Sequence, residues 1–381
     1  MLRHGFASVW ARLLIVAVVL VSVCGVERAP AAEPPLKEVV DRGLKYLTDK
    51  GQNGKGQISP RIGSGITSLA VTAAIRHGRK LDDPLVARGL KAIEGYVQAD
   101  GGIYGSDRVR NYETCVAIVC LSEANKLAGD GRYDKILKNA DKYVRGLQIG
   151  ADGKTEQSNP QFGGVGYGGP ERPDLSNTAY LVEALKALDT PAEDPAIQRA
   201  LVFVSRCQNL KGPGNDTKFA PLVNDGGFYY VIPTESIDTS DTEKYTADGG
   251  LRSSGSMTYA GFKSLIYAGL TKTDPRTEAA VKWIGDNYSV TKNPGQGTAG
   301  LFYYYQLFGS ALSASGMKEV TTKNEGDRDW RHDLVAELAK TQQSDGSWVN
   351  SNRQFMENDP NLATSFALLA LSYCDDEPAG K

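Results

Sequence analysis

The sequence repeats one pattern along most of its length: a helix with an apolar stripe, a glycine-rich turn with an aromatic residue, and a more uniformly apolar helix. The last copy is the clearest, because QQSDGSW at 342–348 closes one helical stretch and NLATSFALLALSYC at 361–374 forms the next. Apolar residues spaced three and four apart indicate amphipathic helices, and stretches apolar on every side indicate helices covered by neighbours. Such a unit cannot bury its apolar face alone, so the units are predicted to stack.

Six helical pairs follow from this pattern. They are 36–50 with 65–77, 85–98 with 111–127, 133–148 with 175–188, 195–208 with 256–270, 275–288 with 298–312, and 329–343 with 361–374. No stretch alternates with period two over a useful length, so no sheet is predicted. The first and last apolar helices lack the polar face that an open array would need at its ends. The sequence therefore predicts an all-α fold, a closed (α/α)6 toroid or barrel of six helical hairpins over 36–376, with a long loop insertion at 209–251.

A threonine recurs near the start of each apolar helix. These residues are Thr67, Thr114, Thr178, Thr258, Thr298 and Thr364. A threonine at a helix start can accept hydrogen bonds from backbone N–H groups that have no partner within the helix. We therefore expect a structural role for the series rather than a chemical one.

Residues 1–32 are predicted to be a secretory signal peptide. Arg3 and Arg12 precede an uncharged apolar run at 13–23, and small residues around Ala31 offer a cleavage site. The run is shorter than the roughly 20 residues that a membrane-spanning helix needs. The mature chain is thus expected to be exported to the periplasm or the extracellular space, without a transmembrane span.

Charge and cysteine content limit the partners and crosslinks. The chain has 43 basic and 45 acidic residues and no basic block, which argues against nucleic acid as a partner. Cys115 and Cys120 lie on one apolar helix with their side chains pointing to different sides, so they are expected to be buried thiols. Cys207 and Cys374 could pair only if the fold brings them together, which the sequence leaves open.

At the turns the chain resembles the terpenoid cyclase and protein prenyltransferase superfamily, whose repeats contain a glutamine followed by Gly-x-aromatic. The segment QSDGSW at 343–348 fits this pattern fully, and QADGGIY at 98–104 fits with one extra residue. Gln148 and Gln208 fit with longer insertions, whereas the first and fifth units depart furthest. The resemblance implies an α/α toroid like that of the squalene-hopene cyclases.

The resemblance does not extend to the residues that catalyse the cyclase reaction. Squalene and hopene cyclases protonate an alkene from the central acid of a DxDDTA segment, and the matching segment here is DLSNTA at 174–179. Ser176 stands at the donor position and Asn177 beside it, and a hydroxyl is too weak an acid for this step. Asp174 and Glu113 are the candidates for a displaced catalytic acid.

No metal or cofactor is predicted. The prenyltransferases of the superfamily hold zinc with an Asp, a Cys and a His, but the histidines here are His4, His77 and His332. None lies in a Cys/His/Asp cluster with ligand spacing.

The register of the inner helices instead predicts a cavity lining. The candidate ligand-binding residues are Tyr112, Ser176, Asn177, Tyr180, Ser256 and Tyr259. An aromatic lining of this kind suits an apolar, isoprenoid-like ligand. The alternative is that these rings simply fill a narrow core.

Three functions remain open from the sequence. The first is an exported toroid, non-catalytic or divergent, that binds an apolar isoprenoid-like molecule or a protein partner. The second is a terpenoid cyclase-like isomerase with a displaced acid. The third is a glycan-active (α/α)6 enzyme, which would need two carboxylates facing an open cleft lined by aromatic residues.

Overall fold

The computed structural model describes residues 36–212, 214–235 and 238–375, and this part of the chain is mainly helical. The predicted signal peptide at 1–32 lies outside the described residues. Within them, no helix is both long enough and apolar enough to cross a membrane.

Helices of two kinds alternate along the chain. The striped helices are α1 (Leu36–Tyr46), α3 (Pro84–Glu94), α5 (Asp134–Gly146), α7 (Pro195–Arg206), α10 (Pro275–Asp286) and α12 (Trp330–Thr341). The more apolar helices are α2 (Gly65–Arg76), α4 (Arg110–Ala128), α6 (Leu175–Ala187), α9 (Gly255–Tyr267), α11 (Leu301–Ser315) and α13 (Pro360–Leu371). A short helix, α8 (Ala220–Val223), lies within the predicted insertion.

The apolar helices form an inner ring. Each packs against the next in the order α2, α4, α6, α9, α11 and α13, and α13 packs against α2, so the contacts run in a closed cycle. The striped helices lie outside this ring, for example α3 against α2, α5 against α4 and α10 against α9. The apolar core lies between the two layers, which explains why only the outer helices carry a polar face.

Several helices start with the same local signal, an aspartate followed by proline. Asp83, Asp194, Asp274 and Asp359 each accept a hydrogen bond from the backbone N–H two residues on. Proline in the first turn loses no bond, because that turn has no intrahelical acceptor for its N–H. Each such cap contributes about 1 kcal/mol to helix stability.

The turns between outer and inner helices repeat one set of bonds. Gln52, Gln148, Gln208 and Gln342 each donate to the carbonyl of a turn glycine and to a carbonyl of the next outer helix, at 2.8–3.1 Å. The acceptors on the next helix are Leu85, Ala196, Arg276 and Val39. Since Val39 belongs to α1, the last turn is bonded to the first helix and closes the ring.

The turn glycines are required by both conformation and space. Gly163, for example, has φ +85°, and a Cβ there would lie 1.8 Å from the carbonyl oxygen of Arg199 in α7. Gly346 repeats this geometry at φ +90°, 2.4 Å from the carbonyl oxygen of Arg42 in α1. Only glycine, which has no Cβ, tolerates a left-handed φ together with such a close approach.

The sequence pattern did not correctly identify which glutamines make these bonds. Gln342 makes the two bonds in the last turn, while its neighbour Gln343 is on the surface and its side chain bonds only locally, to the carbonyl of Thr341. The first unit, which departs from the pattern in sequence, makes the same bonds through Gln52. The sequence pattern counts residues from the glutamine to the aromatic residue, whereas the bonds depend on the position of the turn glycine. The pattern therefore missed both Gln342 and Gln52.

The recurring threonines tie the turns to the inner helices. The hydroxyls of Thr67, Thr114, Thr178, Thr258 and Thr364 accept hydrogen bonds at 2.9–3.1 Å from the backbone N–H of Ile58, Ile103, Val165, Phe228 and Trp348. The donors are turn residues rather than the helix-start N–H groups that the sequence predicted. Thr298 departs from the series: α11 begins only at Leu301, because Gly297 and Gly300 have φ +61° and +62°.

A small β-hairpin between α11 and α12 was not predicted. Strand β1 (Glu319–Thr322) pairs antiparallel with β2 (Gly326–Asp329). Both strands are too short and polar to give a period-two signal. The hairpin is held by tertiary contacts, since Val320 is buried and the Lys323 N–H donates to the Gly285 carbonyl of α10 at 3.2 Å.

Cys115 and Cys120 are buried as expected, and the turn residue Trp348 is buried as well. Cys115, Cys120 and Cys207 are buried thiols outside any disulfide, so the pairing of Cys207 with Cys374 that the sequence left open does not occur. Trp348 is fully buried, and its indole N–H donates to the carbonyl of Leu338 at 2.8 Å.

Candidate functional site

Aromatic rings from the inner helices meet inside the ring. The ring centroids of Tyr112 and Tyr180 lie 5.0 Å apart, those of Tyr180 and Tyr303 6.1 Å, and those of Tyr303 and Phe366 5.6 Å. The hydroxyl of Ser176 bonds that of Tyr303 at 2.7 Å. Of the predicted lining, Tyr112, Ser176 and Tyr180 are thus brought together, and the rings of the two tyrosines pack against each other.

Three other predicted ligand residues lie apart from this group. The amide of Asn177 donates to Asp174 at 2.8 Å, and the amide of Asn293 donates to the hydroxyl of Ser256 at 3.3 Å. Tyr259 is only 1% exposed, and its ring packs 5.1 Å from that of Phe308. Tyr259 therefore belongs to the packing between α9 and α11.

Glu113, a predicted candidate acid, holds two loops together. Its buried carboxylate accepts hydrogen bonds from the backbone N–H groups of Ser64 at 3.1 Å and Gly105 at 2.7 Å. Burial raises its pKa although these bonds act in the opposite direction. These contacts give Glu113 a positioning role, and it does not line the cavity around Asp174.

Asp174, the other candidate acid, lines a cavity of about 700 Å³ at the N-terminal end of the inner ring. It caps α6, where its carboxylate accepts the backbone N–H of Asn177 at 2.8 Å. The remaining lining comes from the loops before α4, α6 and α9: Asp107, Arg108, Arg110, Tyr167, Gly168, Glu171, Arg172, Tyr230 and Val231. Tyrosines and charged groups of both signs therefore surround one buried carboxyl.

The electrostatic environment makes Asp174 titrate near neutrality. The residue is 3% exposed, and burial raises its pKa to about 6 even though hydrogen bonds from Asn177 and Tyr230 favour the ionised form. The pKa of Tyr230 is raised in turn by burial and by the Asp174 carboxylate. A carboxyl that changes charge near pH 6 can accept or donate a proton under physiological conditions.

Sequence reasoning missed Tyr230, which comes from the predicted insertion at 209–251. The Leu175 N–H at the start of α6 donates to the Tyr230 carbonyl at 2.8 Å and so holds this segment at the cavity. Tyr230 and Asp174 are far apart in sequence, and the segment has no regular secondary structure that would announce the contact. The run of three aromatic residues FYY at 228–230 was the one available signal.

The described residues contain no group of three or more His, Cys, Asp or Glu side chains placed to hold a metal ion. His77 instead bonds the Leu368 carbonyl at 2.8 Å, across the joint between α2 and α13. Burial lowers its pKa, so the imidazole is neutral at pH 7.

Known structures resemble this one, although the sequence matches no protein-family model and no curated protein. A D-mannose isomerase aligns over 91% of this chain and 98% of its own, with a TM-score of 0.54 and 12% identity. A protein from Actinoplanes aligns over 89% and 99%, with a TM-score of 0.52 and 13% identity. The type II terpene cyclase MstE from Scytonema aligns over 89% and 96%, with a TM-score of 0.50 and 12% identity.

These likenesses show the fold: the chain is an α/α toroid-like protein. The terpene cyclase among them agrees in fold with the resemblance seen at the turns. With identities of 12% and 13%, the neighbours do not transfer an activity, because one fold hosts many functions.

Proposed function

We propose that the chain is an exported (α/α)6 toroid of six helical hairpins that binds a small molecule in the cavity beside Asp174. The alternation of outer and inner helices and the closed cycle of inner-helix contacts support this architecture. Export after cleavage near Ala31 rests on the sequence alone. The neighbours described as binding small molecules include MstE, for which complexes with a substrate and a product are known.

The observation that carries the proposal is a buried carboxyl, titrating near pH 6, that faces a cavity. Polar groups buried without a structural need are costly, and α6 could be capped equally well by a neutral Asn or Ser. A site of about 700 Å³ lies within the usual size range of small-molecule sites, roughly 300–1,000 Å³.

The cavity lining refines the ligand class. An apolar isoprenoid-like ligand was expected, but the described lining combines tyrosines with arginines and carboxylates. The ligand is therefore amphiphilic: its polar head contacts Asp174 and the arginines, and its apolar part packs on Tyr167 and Tyr230. A prenyl chain with an ionised head meets both demands.

A thermal-shift panel tests this proposal. Prenyl alcohols, prenyl diphosphates, fatty acids and oligosaccharides are compared at about pH 5 and about pH 7.5, on either side of the Asp174 pKa. An anionic ligand is expected to stabilise more at the lower pH, where Asp174 is neutral. Asp174→Asn should remove the pH dependence, and Asp189→Asn, which alters an exposed carboxylate, should not.

Stabilisation of wild type and Asp174→Asn to the same degree at both pH values would disprove binding at this cavity. Stabilisation by oligosaccharides alone would favour the glycan-active alternative. If no compound stabilises the protein, the small-molecule proposal fails and a protein partner takes its place.

A second candidate function is acid–base catalysis by Asp174. The specific observation in its favour is the same pKa of about 6, which suits proton transfer at neutral pH. Alkene protonation needs a stronger acid than a carboxyl with this pKa, and Ser176 occupies the donor position of the cyclases. Squalene is therefore not expected to cyclise. Cyclic product that disappears in Asp174→Asn would establish the displaced-acid cyclase instead.

A further inference from the structure

A charged cluster lies inside the inner ring, toward the C-terminal ends of its helices. Each inner helix contributes one polar side chain, with Tyr373 just beyond the end of α13. The set consists of Arg76, Glu123, Glu183, Lys263, Ser310 and Tyr373, hereafter the axial cluster. Glu183 follows Asp174 on α6 at about 1.5 Å of rise per residue, so the cluster and the Asp174 cavity are more than ~10 Å apart.

The axial cluster contains two ion pairs. Lys263 donates to Glu183 at 2.9 Å and to Ser310 at 3.2 Å, and Arg76 donates to Glu123 at 2.6 Å and also to the Tyr373 hydroxyl. Burial alone would raise the pKa of Glu183, but the charges of Lys263 and Arg76 outweigh it and lower the pKa. The Glu183 carboxylate is therefore ionised at neutral pH.

Stability does not explain this arrangement. Taking two opposite charges out of water costs about as much as their attraction returns, and well-packed apolar residues often serve as well or better. The neighbouring level of the same ring is filled by tyrosine and phenylalanine rings, so the interior does not require charges for packing.

Part of the axial cluster is accessible. The side chains of Arg76, Glu123 and Glu183 are 21%, 24% and 14% exposed, whereas Lys263 is 1% exposed. Each carboxylate uses one oxygen in its ion pair. The second oxygens, Glu123 Oε2 and Glu183 Oε1, have no hydrogen-bond partner among the described residues and remain in contact with solvent.

We propose that the axial cluster is a second binding site, for a neutral polyhydroxylated molecule such as a monosaccharide or a cyclic polyol. Its two cations and two carboxylates sum to zero charge, which disfavours a charged ligand. Free carboxylate oxygens accept from hydroxyl groups, and the ammonium and guanidinium donate to them, which matches a ligand that is donor and acceptor at every carbon. The rings of Tyr267 and Tyr373 lie close by, and the Arg76 guanidinium lies over the Tyr373 ring, 5.2 Å from its centroid.

Saturation-transfer NMR with D-glucose, D-mannose and myo-inositol tests the proposal on the full chain. At least one compound is expected to receive saturation from the wild-type protein. The double variant Lys263→Met with Glu183→Gln removes both charges of a pair, so it is expected to fold while binding at least about tenfold more weakly. The matched control is Lys282→Met with Asp286→Asn, an exposed pair on α10 that should leave binding unchanged.

The Asp174→Asn variant separates this site from the cavity of the proposed function. Binding that survives Asp174→Asn and is lost in the axial double variant supports the axial cluster. Loss in Asp174→Asn alone, unchanged binding in the double variant, or no saturation of any compound by wild type would overturn the proposal. If the double variant does not fold, Glu123→Gln, which leaves Arg76 bonded to Tyr373, is expected to show the same loss.

Discussion

The turns and the interior of the ring are built differently. At the turns, four units repeat a glutamine that bonds its own turn glycine and also the next outer helix, so that this residue joins one unit to the next. In the interior, the charged groups differ from helix to helix: α6 brings Glu183 and is capped by Asp174, and α9 brings Lys263. A bond that is repeated from unit to unit serves the assembly of the ring. A charged group that occurs once has no such role, so we expect ligand binding in the interior.

The fifth unit departs from the turn bonds. Among the described residues, the loop between α10 and α11 shows no glutamine side-chain bond like those of Gln148 and Gln208. The β1–β2 hairpin, which follows α11, packs back on the end of α10, where a Cβ on Gly285 would stand 2.4 Å from the Thr321 carbonyl oxygen. The outer helix here is contacted by a hairpin from later in the chain.

The largest loss of stability is expected for a substitution of Trp348, which tests the packing of the last turn. Replacing Trp348 with Ala leaves a cavity in the core and an unpaired Leu338 carbonyl, and should cost about 3–5 kcal/mol of unfolding free energy. Denaturant melts measure it. The control is Phe355→Ala, an aromatic residue of the same loop that is 63% exposed and should be neutral. Equal tolerance of both changes would show that the last turn does not hold the ring.

Gly163→Ala tests the close approach between units. We expect a loss of about 2–4 kcal/mol, from the left-handed φ and from overlap with the Arg199 carbonyl. Gly129 has a similar φ of +69° but open space around its Cβ position, so Gly129→Ala should cost only about 1–2 kcal/mol. If the two variants melt alike, contact between units is not what requires the glycine.

Gln208→Leu tests the repeated bonds themselves. The change leaves the carbonyls of Gly226 and Arg276 without their donor and should cost about 1–3 kcal/mol. Gln98 is exposed and bonds only within its own turn, so Gln98→Leu should change stability by less than about 0.5 kcal/mol. A neutral Gln208→Leu would remove the distinction between framework and interior.

The effect expected at Asp174 depends on pH. Because the folded-state pKa is raised, the stabilisation from the protonated carboxyl is full below about pH 4 and lost as pH rises through about 6. An asparagine side chain would keep the helix cap without ionising, so Asp174→Asn should gain up to about 3 kcal/mol relative to wild type as pH rises from about 4 to about 7. Melting curves across this range measure the difference. A constant offset would mean that Asp174 does not titrate there.

Much of the helical framework could be predicted from sequence because it is periodic. The spacing of apolar residues located the outer and inner helices, and the repetition predicted their stacking. Errors arose where tertiary contacts decide the local conformation, as at the start of α11 and in the β1–β2 hairpin. At these places Gly297 and Gly300, or the buried Val320, set the local conformation together with a neighbouring element. A local sequence pattern does not contain that information.

The candidate site was predicted only in part. A motif comparison led to Asp174 and Ser176, but the pKa of Asp174 depends on burial beneath Tyr230, a residue from a distant segment. The charges of Glu183 and Lys263 were overlooked, because a single charge on a helix usually lies on a solvated face. Only the assembled ring shows that these two face one another.

Closure has a consequence for connectivity. Because the turn at 342–348 is bonded to α1, every unit has two neighbours. The contacts between units therefore do not depend on which unit comes first in the sequence. Helices α1 and α13 are in contact, so a circular permutant could join them through a linker and open the ring elsewhere, for instance at 129–131. The permuted chain would retain the interfaces between units in a new order along the sequence.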